Sequence, residues 1–374
     1  MDPIPGEALT SCRMCGSTAL TQVLDLGAQA ACDNFPPADD PQPDARWPLA
    51  LTMCGACRLV QLDHVSPPEE VARAVESETL RRHAHEVTER ILDRLDLPER
   101  PRVREFSSHH GGSWIGAWTA RGAQEVTREA DVVIDNQSII HSETPDADLA
   151  ERVAALADGG MLVIEFHHAL RQLTGGQFDT VRHGHPLYFS LHSWSAACER
   201  HGLTVVDAWA EDVFGGCLLV AARRGGAPND AVRQILDDEI DAGATTPQGY
   251  ERLRELTASV RAELVRHLED AKGAGHTVAA YGAGSKSCTL LGATGIGPDL
   301  LPYTADLSPA KHGRRIPGVG VPIVGPQDLV DRSPDEVVIL TWDIADEVIA
   351  QLRRSGLETT FVVPLPHVRV VGSS

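Results

Sequence analysis

Short apolar runs alternate with amphipathic stretches over much of the chain. Val103–Phe106, Ala130–Ile134, Met161–Phe166, Leu203–Trp209 and Cys217–Ala222 read as strands. Trp114–Arg121, Leu149–Leu156 (running out at Gly159-Gly160) and Leu191–His201 read as helices between them. A second alternation follows the long helix Glu251–Ala271, where Leu253, Leu256, Val260, Leu264 and Leu268 recur at helical spacing. It holds the strands His276–Tyr281 and Glu336–Thr341. Strands alternating with helices predict mostly parallel sheets, hence an α/β protein. Ahead of them, residues 66–100 read as helical, opening at Ser66-Pro67-Pro68-Glu69 and carrying Val87, Ile91, Leu92 and Leu95 on one face. His83 and His85 in that segment are expected to be solvated.

Composition narrows the classes of function. The 374 residues suffice for two or three domains, and 42% hydrophobic with 23% charged residues is an ordinary globular balance. A net charge of −20 argues against a nucleic-acid or anionic-membrane surface and leaves a small-molecule substrate. No apolar run is long enough for a membrane span, and the N-terminus lacks the pattern of a signal peptide, so the expected compartment is the cytoplasm. Eight cysteines there point to metal ligands or buried thiols rather than disulfides.

Four of those cysteines form two pairs, Cys12-x-x-Cys15 and Cys54-x-x-Cys57, each in a Gly-bearing turn. Two such knuckles supply four thiolates to one tetrahedral zinc. Four protein ligands leave no open position, so this zinc is expected to be structural.

The densest chemistry lies in VIEFHHALRQLTGGQFDTVRHGH, which begins at Val163. It carries His167, His168, His183 and His185 with Glu165, beyond a predicted strand end where open α/β sheets place ligands. Two further features stand out. Gly282-Ala283-Gly284-Ser285-Lys286 follows a predicted strand and is suited to receive a phosphate on backbone N–H groups. The stretch from Asp306 to Arg315 brings Lys311 and Arg314.

These motifs together (the cysteine knuckles, VIEFHH, FDT followed by HGHPLYFSL, FGGCLLVAA, YGAGSK and DLSPAKHGRRIPG) resemble the sugar-nucleotide C-methyltransferases over essentially the whole chain. Members methylate a carbon beside the keto group of a TDP-deoxysugar, using S-adenosylmethionine and a structural zinc. The resemblance implies five segments: a zinc-binding domain at 1–65, a helical linker at 66–100 and a methyltransferase-like Rossmann domain at 101–225. A linker at 226–250 and a second Rossmann-like, substrate-binding domain at 251–374 follow. It implies His185 as the base that removes the proton beside the ketone, with His167 as a second active-site histidine. His183 and Arg182 are candidates to stabilise the enolate. Lys286, Tyr281, Lys311, Arg314 and Asn136 are candidates for the substrate. Where the family reads Tyr-His-Glu-His, this chain reads Arg182-His183-Gly184-His185.

One interval departs from the pattern. Between Val103 and Ala130 there is room for a strand, a turn, a helix and at most one short strand, near Ala123–Thr127. The acidic strand end that binds the cofactor ribose has no place there. The expectation is therefore a truncated methyltransferase-like domain without the usual cofactor pocket. The remaining histidines would serve SAM-independent proton transfer in deoxysugar biosynthesis. The alternatives are a compact methyltransferase that holds the cofactor through Ser108, His110, Gly111 and Asn136, and a non-catalytic zinc-stapled binding protein. His109, His110 and His141, with His167 and His168, are a weak second metal set.

Overall fold

A computed structural model describes residues 7–32, 35–64, 78–107 and 112–372. The expected helix start at 66–69 and the turn at 108–111 lie outside them. The N-terminal module is β1 (Leu20–Gln29), β2 (Trp47–Cys54) and β3 (Val60–Leu62). The middle of the chain follows as α1 (Glu78–Arg94), β4 (Arg102–Ser107), α2 (Ile115–Ala120), β5 (Gln124–Glu125) and β6 (Ala130–Asn136). It continues through α3 (Pro145–Ala154), β7 (Leu156–His167), α4 (Ala169–Thr174), β8 (Leu187–Tyr188), α5 (Leu191–Arg200), β9 (Thr204–Glu211), β10 (Cys217–Arg223) and α6 (Asp230–Asp241). The last part is α7 (Gly249–Gly273), β11 (Val278–Tyr281), α8 (Ser285–Thr294), β12 (Thr304–Ala305) and β13 (Ile323–Val324). It ends with α9 (Pro326–Arg332), β14 (Glu336–Ile339), α10 (Ala345–Arg354), β15 (Thr360–Val363) and β16 (Arg369–Val371).

Three sheets organise these elements. The first is antiparallel, in the order β1-β2-β3-β8, so the middle of the chain lends a strand to the N-terminal module. The second runs β5-β4-β6-β7-β10-β9, parallel except for β10. Its central strands carry the apolar runs Met161–Ile164 and Leu218–Ala222, buried along their length. A strand covered on both faces needs that composition instead of alternation. The third sheet runs β13-β12-β11-β14-β15-β16, parallel except for β16, a doubly wound order whose direction switches between β11 and β14.

Both segments read as linkers are built into the packing. Helix α1 buries Ala84, Val87 and Ile91 against Val103 of the second sheet and Trp118 of α2. Each such side chain contributes roughly 1.5–3 kcal/mol. Helix α6, inside the expected 226–250 linker, packs on α5 and β9. Helix α7 sets Leu253, Val260, Leu264 and Leu268 into a core shared with Leu49, Leu51 and Met53 of the first sheet and Leu290 of α8. One more expectation shifts: Gly159 and Gly160 belong to β7, which begins at Leu156, and the helix before it ends at Ala154.

Glu239 pins α6 to the second sheet's flank. Its carboxylate is fully buried and accepts from His168 Nε2 (2.7 Å), the backbone N–H groups of Leu191 (2.6 Å) and His192 (3.0 Å), and His192 Nδ1 (2.8 Å). Burial alone would push its pKa up, but the bonds from His168 and His192 win and bring it down to about 2. A carboxylate with a depressed folded pKa stabilises the fold above its unfolded value, and that stability is lost as pH falls from about 4.5 toward 2. Acid unfolding followed by circular dichroism should show this loss, on the order of 3 kcal/mol, and Glu239→Gln should abolish its pH dependence in that window.

Candidate active site

The sulfurs of Cys12, Cys15, Cys54 and Cys57 all lie within 4.8 Å of one another. Cys12 Sγ is 3.6 Å from Cys57 Sγ, and Cys15 Sγ is 3.5 Å from Cys54 Sγ. Zn–S bonds of 2.3 Å in a tetrahedron place sulfurs about 3.8 Å apart, so the set fits zinc without rearrangement. Each knuckle closes a tight turn: Gly16 N–H bonds Cys12 O (2.9 Å), and Arg58 N–H bonds Cys54 O (3.0 Å). The left-handed residue of the second turn is Arg58, at φ +63°, not Gly55. Among the described residues this is the only cluster with metal-ligand geometry. His168 turns away to Glu239, which removes it from the second metal set.

The zinc module reaches the histidines directly. Strand β3 pairs Val60 with Tyr188 and Gln61 with Leu187, and Leu62 N–H bonds Pro186 O (2.9 Å), the residue after His185. Arg13, between the first two cysteines, bonds Leu62 O (2.6 Å) and His64 O (2.9 Å) and pairs with Glu143 (2.7 Å), two residues from His141. On the other side, Asp135 at the end of β6 accepts from Ser138 N–H (2.7 Å) and pairs with buried Arg152, turning the chain so that His141 points back.

Three histidines thereby gather at the carboxyl ends of β6 and β7. The rings of His141 and His185 stand edge to face at 4.6 Å, and those of His167 and His185 lie 5.6 Å apart. His141 Nδ1 bonds Gly184 O (2.7 Å). Arg182 bonds His185 Nε2. A guanidinium can only donate, so Nε2 holds a lone pair and the imidazole is neutral, the form a base requires. Burial, reinforced by Lys286, Arg182 and His141, pushes the His167 pKa down to about 3, so this ring is also neutral and can donate N–H without carrying charge. The Phe214 ring stands edge-on to it at 5.9 Å.

The third sheet closes the cleft from its switch point. Lys286, in the first turn of α8, bonds Asp343 Oδ2 (2.7 Å) and Phe214 O (3.2 Å). Trp342 Nε1 donates to Asp179 Oδ2 (2.6 Å), joining the ends of β14 to the FDT turn. Phe214, Gly215 and Gly216 all have positive φ, and a Cβ on Gly215 would stand 3.1 Å from Trp342 and Gln177, tighter than ordinary contact.

Other expected residues fall elsewhere. His183 bonds Pro48 O (3.1 Å) and stands against Trp47, so it ties the stretch to β2 and does not join the histidine cluster. Tyr281 is buried in the core on the α10 side, and burial pushes its pKa up to about 12. The phosphate seat is filled from within: Ala283 N–H bonds Asp306 (2.7 Å), Gly284 N–H bonds Ser287 Oγ (3.3 Å), and Lys311 Nζ bonds Ala283 O (2.8 Å). Arg314 holds Phe35 O (2.6 Å), a tie to the N-terminal module. Asn136 Nδ2 reaches Gly112 O (3.3 Å) at the turn after β4. His83 is buried, not solvated, and bonds Glu165 Oε1 (2.6 Å), whose other oxygen accepts from Gln137 Nε2 (2.8 Å). Two members of the site were missed as such by sequence reasoning, His141 and Asp179. The signal for Asp179 was present in the FDT motif. His141 had been weighed only as a metal ligand.

The strand beside β4 is short at the place where a related fold carries a ribose-binding acid. In a related dinucleotide fold an acid at the carboxyl end of the strand beside the first one grips the ribose. Here that neighbour is β5, two residues long, pairing Gln124 with Arg102 and Glu125 with Val103. Glu125 is therefore level with the start of β4, about 13 Å short of Ser107 at 3.3 Å per residue. No acid among the described residues of β5 stands beside the sheet's carboxyl edge.

A zinc knuckle stitched to a methyltransferase-like sheet, with a doubly wound domain closing over its histidines, defines a chain built like a C-methyltransferase. Residues 12–71 match a zinc-binding domain family, and residues 212–366 match the C-methyltransferase C-terminal domain family. The C-methyltransferase NovU of Streptomyces niveus is 28% identical over 410 aligned positions, taking in 98% of this chain and 97% of NovU. The chain thus carries a segment of the zinc-binding domain family and a segment of the C-methyltransferase C-terminal domain family, and is similar to a C-methyltransferase over nearly its whole length. The alignment exceeds this chain's 374 residues, so NovU carries residues without counterpart here. Among solved structures, the 1,6-didemethyltoxoflavin N1-methyltransferase of Burkholderia thailandensis matches at 15% identity and TM-score 0.30, over 40% of this chain and 80% of its own. Magnesium protoporphyrin IX methyltransferase of Synechocystis matches at 13% and 0.28, over 39% and 83%. Likenesses this low add nothing to the topology described above. Among the described residues no helix is long and apolar enough to cross a membrane.

Proposed function

We propose that this chain enolises a nucleotide-linked keto-sugar by histidine-based proton transfer, without S-adenosylmethionine, in the deoxysugar branch of natural-product biosynthesis. The observation that carries it is the gathering of His141, His167 and His185 in a chain whose β5 has two residues. His185 takes the proton on the carbon beside the ketone through its Nε2 lone pair. Arg182, which occupies that lone pair in the free protein, moves to the carbonyl oxygen where negative charge develops. The neutral N–H of His167 supplies a second donor to the same oxygen. Lys286, paired with Asp343 beyond β14, faces the sugar-nucleotide side. Lys311, Arg314, Tyr281 and His183 keep the supporting contacts described above.

Calorimetric titration of zinc-loaded protein with S-adenosylmethionine and S-adenosylhomocysteine tests this. The expected result is no heat of binding at millimolar ligand. Micromolar binding of either would instead make the shortened domain a compact cofactor pocket and the protein a methyl-transferring enzyme.

A further inference from the structure

We propose that Asp179 is the acid of this cleft: it returns a proton to the carbon from which His185 has removed one, so that the reaction is an epimerisation. The inference rests on the enolisation reading above and adds to it a second proton-carrying group and a stereochemical outcome.

The carboxyl is 1% exposed. One oxygen is held by Trp342 Nε1 at 2.6 Å, while Oδ1 has no hydrogen-bond partner among the described residues. Leaving a buried carboxyl oxygen unmatched costs roughly 1–3 kcal/mol, so a fold that keeps one calls for a reason beyond packing. The turn that carries it, Phe178–Thr180, packs on α8, and Thr289 Oγ1 fixes the next residue through Val181 O (2.8 Å). Lys286 links the two walls of the cleft: its Nζ bonds Phe214 O (3.2 Å), whose ring stands 5.9 Å from His167, and lies 5.0 Å over the Trp342 ring whose Nε1 holds Asp179. Asp179 thus lies on the C-terminal-domain side and His185 on the side of the zinc module. Burial, opposed by Lys286 and the Trp342 bond, raises its pKa to about 7, which keeps a share of the carboxyl protonated at neutral pH.

The step balances without a further reactant. His185 takes the α-proton, and the C–H electron pair passes into the enolate. The O–H bond of Asp179 then breaks, its proton joins the carbon, and the C=O re-forms. An imidazolium and a carboxylate remain. Water resets both, accepting a proton from His185 and giving one to Asp179.

Asp179→Asn keeps an oxygen for Trp342 and removes the proton. Zinc-loaded wild type, Asp179→Asn and His185→Ala are incubated with TDP-4-keto-6-deoxyglucose in deuterium oxide. Deuterium at the α-carbon and the epimer are both followed by NMR. Wild type is expected to give both. Asp179→Asn should still take up deuterium, within about threefold of wild type, but lose epimer by about 100-fold or more. His185→Ala should give neither. Epimer formation by Asp179→Asn at the wild-type rate overturns the assignment. So does loss of deuterium uptake and epimer together in a folded Asp179→Asn protein, which marks the residue as structural. A wild-type protein that exchanges no deuterium sinks the enolisation reading, and Asp179's role with it. That failure is distinct because it shows in the wild-type arm.

Discussion

Cys54→Ser should yield a protein that carries no zinc and has lost both its cooperative unfolding transition and its activity. Apparent binding free energies for structural zinc run to about 10–16 kcal/mol, more than the whole stability of a typical domain. Cys54 ends β2, its turn leads straight into β3, and β3 pairs with β8, two residues beyond His185. Arg13, inside the other knuckle, anchors Glu143 beside His141. Zinc here therefore holds two of the three clustered histidines as well as the module. Zinc content by atomic emission and thermal unfolding by circular dichroism check this. A Cys54→Ser protein that melts like wild type would show that the four-sulfur cluster stands without metal.

His185→Ala should lower enolisation of a keto-sugar nucleotide by about 10²–10⁴-fold while leaving the fold intact. The ring is buried, and polar groups (the rings of His141 and His167 and the Arg182 guanidinium) stand against it. Arg182 then loses the acceptor that His185 Nε2 provides. For that reason His185→Gln, which can still accept from the guanidinium, is the better control for structure. Equal loss in both variants, with unchanged melting, assigns the effect to the missing base. Deuterium uptake at the wild-type rate in His185→Ala would move the base to another residue.

Strands β4, β6, β7, β9 and β10 of the second sheet and β11 and β14 of the third were legible because buried strands are short apolar runs, and runs such as Leu218–Ala222 have few other fates. The knuckles were legible because metal geometry forces their spacing. The short interval between Val103 and Ala130 was legible as chain length: a second full strand does not fit, and β5 has two residues. The site was legible only in part. His185, Arg182 and His167 do meet, but His183, two positions from His185, goes to β2, a choice set by Trp47 and Pro48 far away in sequence. His141 joins through an edge-to-face contact that no spacing announces. The glycine turn at 282–284 has the sequence of an anion seat, yet Asp306, more than twenty residues on, takes its N–H group. Helices read as linkers carried an amphipathic stripe whose partner lay in another segment.

The most direct test of the account is proton exchange by the wild-type protein. Zinc-loaded enzyme, freed of S-adenosylmethionine, is mixed with TDP-4-keto-6-deoxyglucose in deuterium oxide, and the α-proton signal is followed by NMR. Catalysed loss of that signal with no methyl donor present is the predicted result. No exchange without S-adenosylmethionine, and methylated sugar when it is added, would contradict it.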